Sequence, residues 1–456
     1  MMEMIGSKKI MKLFFVVIIL VIVLGGCKKG SGDVSTVTPT ENDNSTLSYV
    51  GMGWARNSVN TVIFRHNSIT SNSEYQFISY YDQDKKVVLG KRTIGSKTWE
   101  VVTTSYAGTA TDAHNSISII VDGDGYLHVS WDHHNNALRY CKSVSPGSLQ
   151  LTAKMPMTGI KEGNVTYPEF YRLPNGNLIF VYRDGSSGNG NLVMNLYDLK
   201  TRTWKQLHQG LIDGQGLRNA YWQLCVDKIG TIHLSWVWRE TGDVATNHDL
   251  CYAKSTDGGI TWKKSTGEVY QLPITATNAD YVMRIPQSSE LINTTGMCAS
   301  DDGYPMIATY WRDGSKSVPQ YHLVYFDGTT WKKSQVSKRI SDFSLSGGGT
   351  KQIPISRPLV LTRKKDGKQQ VLMVFRDSER SDKASVAVCN DLAEPSWTIT
   401  DLNKMMVGSW EPSCDKDLWL NRGIMHLFLQ NTVQIDGEGL SPILSQPVYV
   451  LESSGI

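Results

Sequence analysis

The residues best suited to chemistry in this chain are two histidines, two tyrosines and an arginine: His114, His134, Tyr167, Tyr221 and Arg183. Histidine and tyrosine donate or accept a proton when their surroundings adjust the side-chain pKa. Arginine carries a permanent positive charge that suits a carboxylate or another anion. In one pocket, these groups would suit removal of a proton from a carbon atom next to a carboxylate. The fold must therefore bring distant segments of the chain together.

A repeated pattern predicts such a fold. Each copy is a polar turn with a glycine, then an apolar strand, then an aromatic and polar ending. Five copies are clear and two, the last of this list, are weaker: Gly125 to His134, Gly176 to Asp184, Gly230 to Glu240, Gly303 to Asp313, Gly367 to Asp377, Gly423 to Gln430 and Thr61 to His66. The copies start roughly every fifty to seventy residues, which is the length of one four-stranded blade. The sequence predicts an all-β, seven-bladed β-propeller with Asp-box hairpins, of which Ser255 to Trp262 is a full example.

The register of the repeat indicates where the five residues lie. Nine residues beyond the turn glycine stand Arg239, Arg312 and Arg376, but His134 takes this place in the Gly125 copy, and Arg183 comes two residues earlier in its copy. That break in the pattern favours a functional position over a structural one.

The strands before each turn give the other members. Tyr167 and Tyr221 lie nine residues before their turn glycines, and His114 lies eleven before. We expect these inner-strand starts to surround one side of the channel mouth. The alternative is that these residues only fill the channel as a polar plug. Four titratable groups of complementary type from adjacent blades favour a functional site instead. A histidine that recurs at one blade position, as His128 and His233 do with His426, is instead interpreted as structural.

No pair of acidic residues occupies equivalent channel positions, which argues against a two-carboxylate glycosidase. Elimination of a sugar from C4 of a uronic acid fits better. Its C5 proton is weakly acidic until a cation neutralises the neighbouring carboxylate. A histidine or tyrosine must then take the proton, and another must protonate the leaving oxygen.

At these residues the sequence resembles the propeller polysaccharide lyases that cleave ulvan, and the wider BNR-repeat family around them. The matching segments are residues 112–115, 131–134, 165–170, 182–188, 219–222 and 247–251. The resemblance implies that His114, His134, Tyr167 and Tyr221 transfer protons and that Arg183 neutralises the carboxylate.

The predicted site extends to four substrate-binding residues: His133, Asn115, Arg239 and Arg312. The expected ligand is an anionic polysaccharide or oligosaccharide that contains a uronate, such as a rhamnose-uronate glycan.

The same lyases hold a structural zinc, which implies metal ligands at His248 and Cys251. Their spacing alone predicts half of a zinc site, with Cys225 or Cys298 from neighbouring strands to complete it. A buried, inert cysteine and a surface histidine are the alternative. No organic cofactor is expected.

Three rival functions stay open. The same propeller family includes hydrolases, among them enzymes that act on rhamnose linked to glucuronate. Sialidases also carry Asp-boxes, and Met283 to Pro286 resembles their arginine motif, although it follows the full Asp-box instead of preceding the first one. A non-catalytic glycan-binding lipoprotein would also explain the propeller and its aromatic residues.

The first residues are predicted to direct export. Basic residues precede an apolar run from Leu13 to Leu24 that is too short to span a bilayer, and a lipoprotein-like box ends at Cys27. We expect a signal peptide over 1–27 with lipidation of Cys27, a flexible tether over 28–47 and one propeller domain over 48–456. A plain secretory signal is the alternative.

These features predict an exported lipoprotein anchored in the membrane, on the periplasmic or cell-surface side of the outer membrane. The net charge of +3, from 46 basic and 43 acidic residues, argues against a nucleic-acid partner. We expect a monomer.

Overall fold

The computed structural model describes residues 45–62, 67–314 and 317–453. These residues form seven antiparallel sheets arranged as a seven-bladed β-propeller, which confirms the predicted fold class. The predicted signal peptide, Cys27 and residues 28–44 of the tether lie outside the described residues, and so do residues 63–66 of the first repeat. No helix in the described part of the chain combines the length and apolar character that a membrane span requires.

The blades follow one another along the chain. Blade 1 contains β2 (Ile69–Ser71), β3 (Tyr75–Tyr81), β4 (Lys86–Thr93) and β5 (Glu100–Ala107), and blade 2 contains β6 (Ile117–Val121), β7 (Leu127–Trp131) and β9 (Tyr140–Lys142). Blade 3 contains β10 (Val165–Arg172), β11 (Leu178–Ser186), β12 (Asn189–Asp198) and β13 (Thr203–His208), with β8 (His134–Asn136) at its inner edge.

Blade 4 contains β14 (Asn219–Val226), β15 (Ile232–Arg239), β16 (Asn247–Ser255) and β17 (Asp280–Met283), and blade 5 contains β18 (Gly296–Ala299), β19 (Pro305–Trp311), β20 (Gln320–Phe326) and β21 (Trp331–Gln335). Blade 6 contains β22 (Leu359–Lys365), β23 (Lys368–Asp377), β24 (Lys383–Cys389) and β25 (Thr398–Met406). Blade 7 contains β26 (Ser413–Cys414), β27 (Met425–Gln430), β28 (Gln446–Ser453) and β1 (Ser45–Gly53). The helices of the described residues are α1 (Lys416–Arg422) and two short 3₁₀ helices, Val244–Thr246 and Ser378–Arg380.

The ring closes by pairing the first strand with the last. Ser48 lies opposite Val450, and Tyr49 lies opposite Tyr449, in an antiparallel β1–β28 pair. This pairing removes two sheet edges that would otherwise be exposed. Blade 7 thus combines the first and the last strands of the described residues.

The core lies within and between the blades. All five residues of β6 and of β7 are buried, as expected for apolar strands covered on both faces. The Asp-box forms the expected turn: Asp257 accepts hydrogen bonds from the amides of Ile260 and Thr261, at 3.1 and 3.0 Å, and Trp262 is fully buried. Gly259 has a φ of 94°, which explains the need for glycine at that position.

The recurring histidines are structural, as predicted. The ring of His128 donates to Asp122 at 3.1 Å and accepts from the hydroxyl of Tyr140 at 2.8 Å, with no exposed surface. His233 makes the equivalent two contacts at 3.2 and 2.7 Å, and His426 is also buried. His128 and His233 bond within their own blades, whereas His426 of blade 7 contacts Gln76 of blade 1 at 3.1 Å.

Two irregularities turn side chains toward the channel mouth. The first is β8, which leaves blade 2 and pairs with β10, so that His134 lies opposite Thr166. The register predicted that His134 would end the second strand of its blade. This was wrong, because β7 already ends at Trp131. The second is a bulge in β10 between Thr166 and Glu169, where Tyr167 adopts a φ of 56°. Bulges and such backbone conformations redirect side chains and are frequent at functional sites.

Candidate active site

The five predicted catalytic residues form one cluster. The rings of His114 and His134 are 4.2 Å apart, and that of His114 is 6.1 Å from Tyr167. The rings of Tyr167 and Tyr221 are 5.9 Å apart, and the guanidinium carbon of Arg183 is 4.9 Å from the centre of the Tyr167 ring. Residues from blades 2, 3 and 4 thus converge, as the repeat register predicted.

A carboxylate holds the two histidines together. Asp112 accepts hydrogen bonds from Nδ1 of His114 at 2.8 Å and from Nδ1 of His134 at 2.6 Å, one on each of its oxygens. The two rings stack with only 18° between their planes. Both histidines must carry a proton on Nδ1 to make these bonds, so Asp112 sets the tautomer of each ring.

His114 has a second acidic partner. Its Nδ1 lies 3.3 Å from Glu438, which is anchored by the backbone amides of Ala113 and Thr350. Burial alone would lower the pKa of His114, but its hydrogen bonds to the carboxylates of Asp112 and Glu438 outweigh burial and raise that pKa to about 9. His114 is therefore an imidazolium at neutral pH. Burial likewise opposes ionisation of Asp112, but the two histidines hold the pKa of Asp112 far below its usual range.

Two arginines surround the hydroxyl of Tyr221. Arg183 and Arg239 donate to this oxygen at 3.5 and 3.3 Å, and Ser187 lies within hydrogen-bond distance at 3.0 Å. Burial would raise the pKa of Tyr221, but the charges of Arg183 and Arg239 lower it to about 8. Burial raises the pKa of Tyr167 well above its usual value, so Tyr167 stays protonated. The cluster thus combines one readily ionised phenol with one protonated imidazole.

The predicted substrate-binding residues are placed differently from one another. Arg239 belongs to the cluster through Tyr221. Asn115 follows His114 directly and is buried, and its amide donates to the carbonyl of Thr109 at 3.2 Å. The position of Asn115 supports the turn that carries His114.

His133 lies apart from the cluster. Its fully buried ring bonds to Asn136 at 3.0 Å and accepts from the amide of Arg139 at 3.1 Å, and burial lowers its pKa to about 4. Arg312 is bound by Glu290 at 3.0 Å and by Asp342 at 2.7 Å. The structure does not bring either residue into contact with the five-residue cluster.

The predicted zinc ligands His248 and Cys251 both lie on β16 and differ in exposure. His248 donates to Glu240 at 2.8 Å and to Asp249 at 3.1 Å, and these bonds outweigh burial and raise its pKa. Cys251 is fully buried, and burial raises the pKa of its thiol. A zinc ligand requires a neutral histidine and a thiolate. The surroundings within the protein favour the protonated form of both side chains. Zinc at these two residues stays a prediction.

Among the described residues, a group of three metal-binding side chains occurs only at Asp112, His114 and His134, whose ligand atoms lie within 4.8 Å of one another. Because the two rings are stacked nearly parallel, an ion between them would lie outside both ring planes. The geometry fits the Asp112 carboxylate better than a shared metal.

Three contributors to the cluster were missed by sequence reasoning. Asp112 lies two residues before His114, a spacing that lets a side-chain oxygen reach the nearby backbone and ring. Ser187 lies four residues after Arg183 in the same hairpin. Glu438 gives no sequence signal, because its contact joins segments 325 positions apart at Ala113.

Comparison with known proteins agrees with this fold. A family model described as a BNR repeat-containing family member matches residues 75–339, which is more than half of the 456 residues. The long isoform of ulvan lyase from Pseudoalteromonas sp. (strain PLSV) is 26% identical over 179 residues, which is 35% of this chain and 18% of that protein. The chain thus matches less than a fifth of that relative's length.

Solved structures extend the likeness to nearly the whole chain. The crystal structure of polysaccharide lyase Uly1 matches with a TM-score of 0.64 at 14% identity, covering 91% of this chain and 99% of that one. A PL25 ulvan lyase bound to -[GlcA(1-4)Rha3S]- also has a TM-score of 0.64 at 14% identity, covering 89% and 95%. At these identities the likeness establishes the fold alone. On the family match, this chain belongs to the BNR repeat-containing family.

Proposed function

We propose that the protein is a polysaccharide lyase that cleaves a uronate-containing glycan by β-elimination. The observation that carries the proposal is the position of the Tyr221 hydroxyl between Arg183 and Arg239, with the His114 imidazolium in the same cluster. A base of pKa about 8 beside two cations suits removal of a proton next to a carboxylate. The similarity to lyases, and to one solved with a uronate disaccharide repeat, supports the same reading.

The proposed reaction begins with the substrate carboxylate. Arg183 and Arg239 bind it and stabilise the negative charge that develops when the C5 proton is removed. The phenolate of Tyr221 accepts this proton. The electron pair of the C5–H bond forms a double bond between C4 and C5 as the C4–O bond breaks.

The leaving oxygen must gain a proton in the same step. With Tyr221 assigned as the base, the His114 imidazolium is the protonated group we assign to this role. Asp112 positions the ring for donation through Nε2, because Nδ1 is engaged by the carboxylate. Exchange of protons with solvent then restores both groups for the next turnover.

The remaining two residues are assigned supporting roles. Tyr167 stays protonated and lies near both His114 and Tyr221, so it can donate a hydrogen bond to the sugar. His134 is exposed, and its ring covers one face of His114. This arrangement places His134 where a bound glycan would meet the acid.

The test is a screen for unsaturated products. Ulvan, rhamnogalacturonan, arabinogalactan and glycosaminoglycans would be incubated with the protein, and ultraviolet absorbance of the new double bond would be followed. Tyr221→Phe should reduce the rate by about 10²–10⁴. Tyr49→Phe is the matched control, because Tyr49 is 53% exposed on the closing strand β1. Saturated products would indicate a hydrolase instead, and saturable binding without product would indicate a glycan-binding module.

A further inference from the structure

A cavity adjoins the five-residue cluster of the candidate active site. It has a volume of about 360 Å³ and is lined by four asparagines, together with Asp184 and short stretches of backbone: Asn135, Asn164, Asn189 and Asn191. Asn135 directly follows His134, and Asp184 directly follows Arg183. Gly190 also lines the cavity, and a Cβ at that position would lie only 2.8 Å from Cδ of Arg183. The cavity and the catalytic cluster therefore share a wall.

The asparagine side chains around this cavity are uncharged, and three of the four are exposed. Asn135, Asn164 and Asn189 are exposed, and their side-chain amides make no hydrogen bond within the described residues. Asn191 is the exception, since its amide nitrogen donates to the carboxylate of Asp213 at 3.1 Å and to the carbonyl of Gly190 at 3.2 Å. A carboxamide offers both donors and acceptors, which match the hydroxyl groups of a sugar.

The charge around the cavity disfavours a sulfate group. The described residues that line it include no lysine or arginine, and they include the acidic Asp184. The nearby Lys161 is already paired with Asp184 at 3.2 Å. By contrast, the cluster across the shared wall contains Arg183, Arg239 and the His114 imidazolium. Positive charge is thus concentrated where a carboxylate would bind.

From these contacts we infer that the cavity is a subsite for an uncharged, unsulfated sugar next to the uronate. The identity of the neighbouring uronate rests on the proposed function, whereas the preference for a neutral sugar rests on the cavity lining. This preference would separate the protein from the ulvan lyase solved with a Rha3S-containing glycan.

The experiment compares one glycan with and without its sulfate groups. Saturated ulvan oligosaccharides and the same preparation after chemical desulfation would be titrated into the protein by calorimetry. We expect the desulfated oligosaccharide to bind at least about tenfold more tightly. Asn164→Ala should weaken its binding by about three- to tenfold, the effect of one lost neutral hydrogen bond.

A charge substitution provides a second readout. Asn189→Lys should improve binding of the sulfated oligosaccharide, because it adds a cation to the cavity. Asn421→Lys is the matched control, as Asn421 is exposed at the end of α1, beside the cavity at the opposite mouth of the channel. Equal or tighter binding of the sulfated form by the unmodified protein would overturn the inference, and so would failure of the desulfated form to bind.

The two proposals fail in different ways. Preferential binding of the desulfated oligosaccharide without any unsaturated product would support the subsite and overturn the lyase. Unsaturated product formed mainly from the sulfated glycan would support the lyase and overturn the subsite.

Discussion

Removing the charge of Arg239 should move the pH dependence of the reaction. Arg239→Gln keeps an amide donor near Tyr221 and deletes one of the two cations that lower its pKa. Tyrosine normally titrates near 10, and here the pKa is about 8 although burial acts in the opposite direction. The charges of Arg183 and Arg239 are the largest effects that oppose burial, so loss of either charge should raise the pKa of Tyr221.

The expected consequence is a shift of the acidic limb of the profile of kcat/KM against pH, which reports the free protein. In the unmodified protein, activity should rise as Tyr221 ionises near pH 8 and fall as His114 loses its proton near pH 9. Arg239→Gln should raise the pKa of Tyr221, which sets the acidic limb, by about one pH unit or more. At pH 7 the phenolate would then be about tenfold scarcer, with a matching loss in rate.

The assay is the initial rate of unsaturated product formation across pH 6 to 10, together with an ultraviolet titration of the phenolate. The difference between the titrations of the unmodified protein and Tyr221→Phe reports Tyr221 alone, without requiring activity. Arg202→Gln makes the same charge change at a side chain that is 54% exposed and paired with Asp124. If Arg239→Gln leaves both the acidic limb and the Tyr221 titration where they were, the assignment of Tyr221 as the base is refuted.

Two of the remaining predictions concern the cluster, one a structural histidine and one the predicted lipid anchor. Asp112→Asn should lower the pKa of His114 and move the alkaline limb down by about one pH unit or more, because a carboxylate partner is lost; an unmoved limb would contradict His114 as the acid. Arg183→Ala should cost about 3–4 kcal/mol of transition-state stabilisation, or a hundredfold to a thousandfold in kcat; full activity would count against the mechanism. His128→Ala should lower the thermal midpoint through loss of about 1–3 kcal/mol of stability, with kcat unchanged; a fall in kcat without a change in melting would contradict its structural role. Cys27→Ser should release the protein from the membrane fraction, since the lipid anchor needs that thiol; a soluble unmodified protein would show that no anchor is attached.

The blade architecture could be predicted because each blade repeats its turn glycine and apolar strand in the sequence. The same register identified Tyr167, Tyr221 and Arg183 as neighbours, since inner strands of successive blades face one channel. It could not show that Tyr167 lies in a bulge with a φ of 56°. The position of a bulge depends on pairing with the next strand, which the repeat does not encode.

The register was less reliable for residues at strand ends. Arg239 and Arg312 occupy the same repeat position, yet only Arg239 reaches Tyr221, because Glu290 and Asp342 bind Arg312. His134 reached the cluster through β8, a strand that the repeat did not predict. Side chains at strand ends depend on loop neighbours, and loops are the part of a repeat that varies.

The closure of the ring has a consequence for catalysis. Glu438 lies in the loop between β27 and β28, and β28 is the strand that pairs with β1. The carboxylate that helps keep His114 protonated is therefore delivered by the last blade to be completed. If β1 and β28 separated, most blades would remain, but His114 would lose its contact with Glu438 and its pKa would fall. The alkaline limb of the pH profile of the proposed reaction would then report whether β1 and β28 are paired.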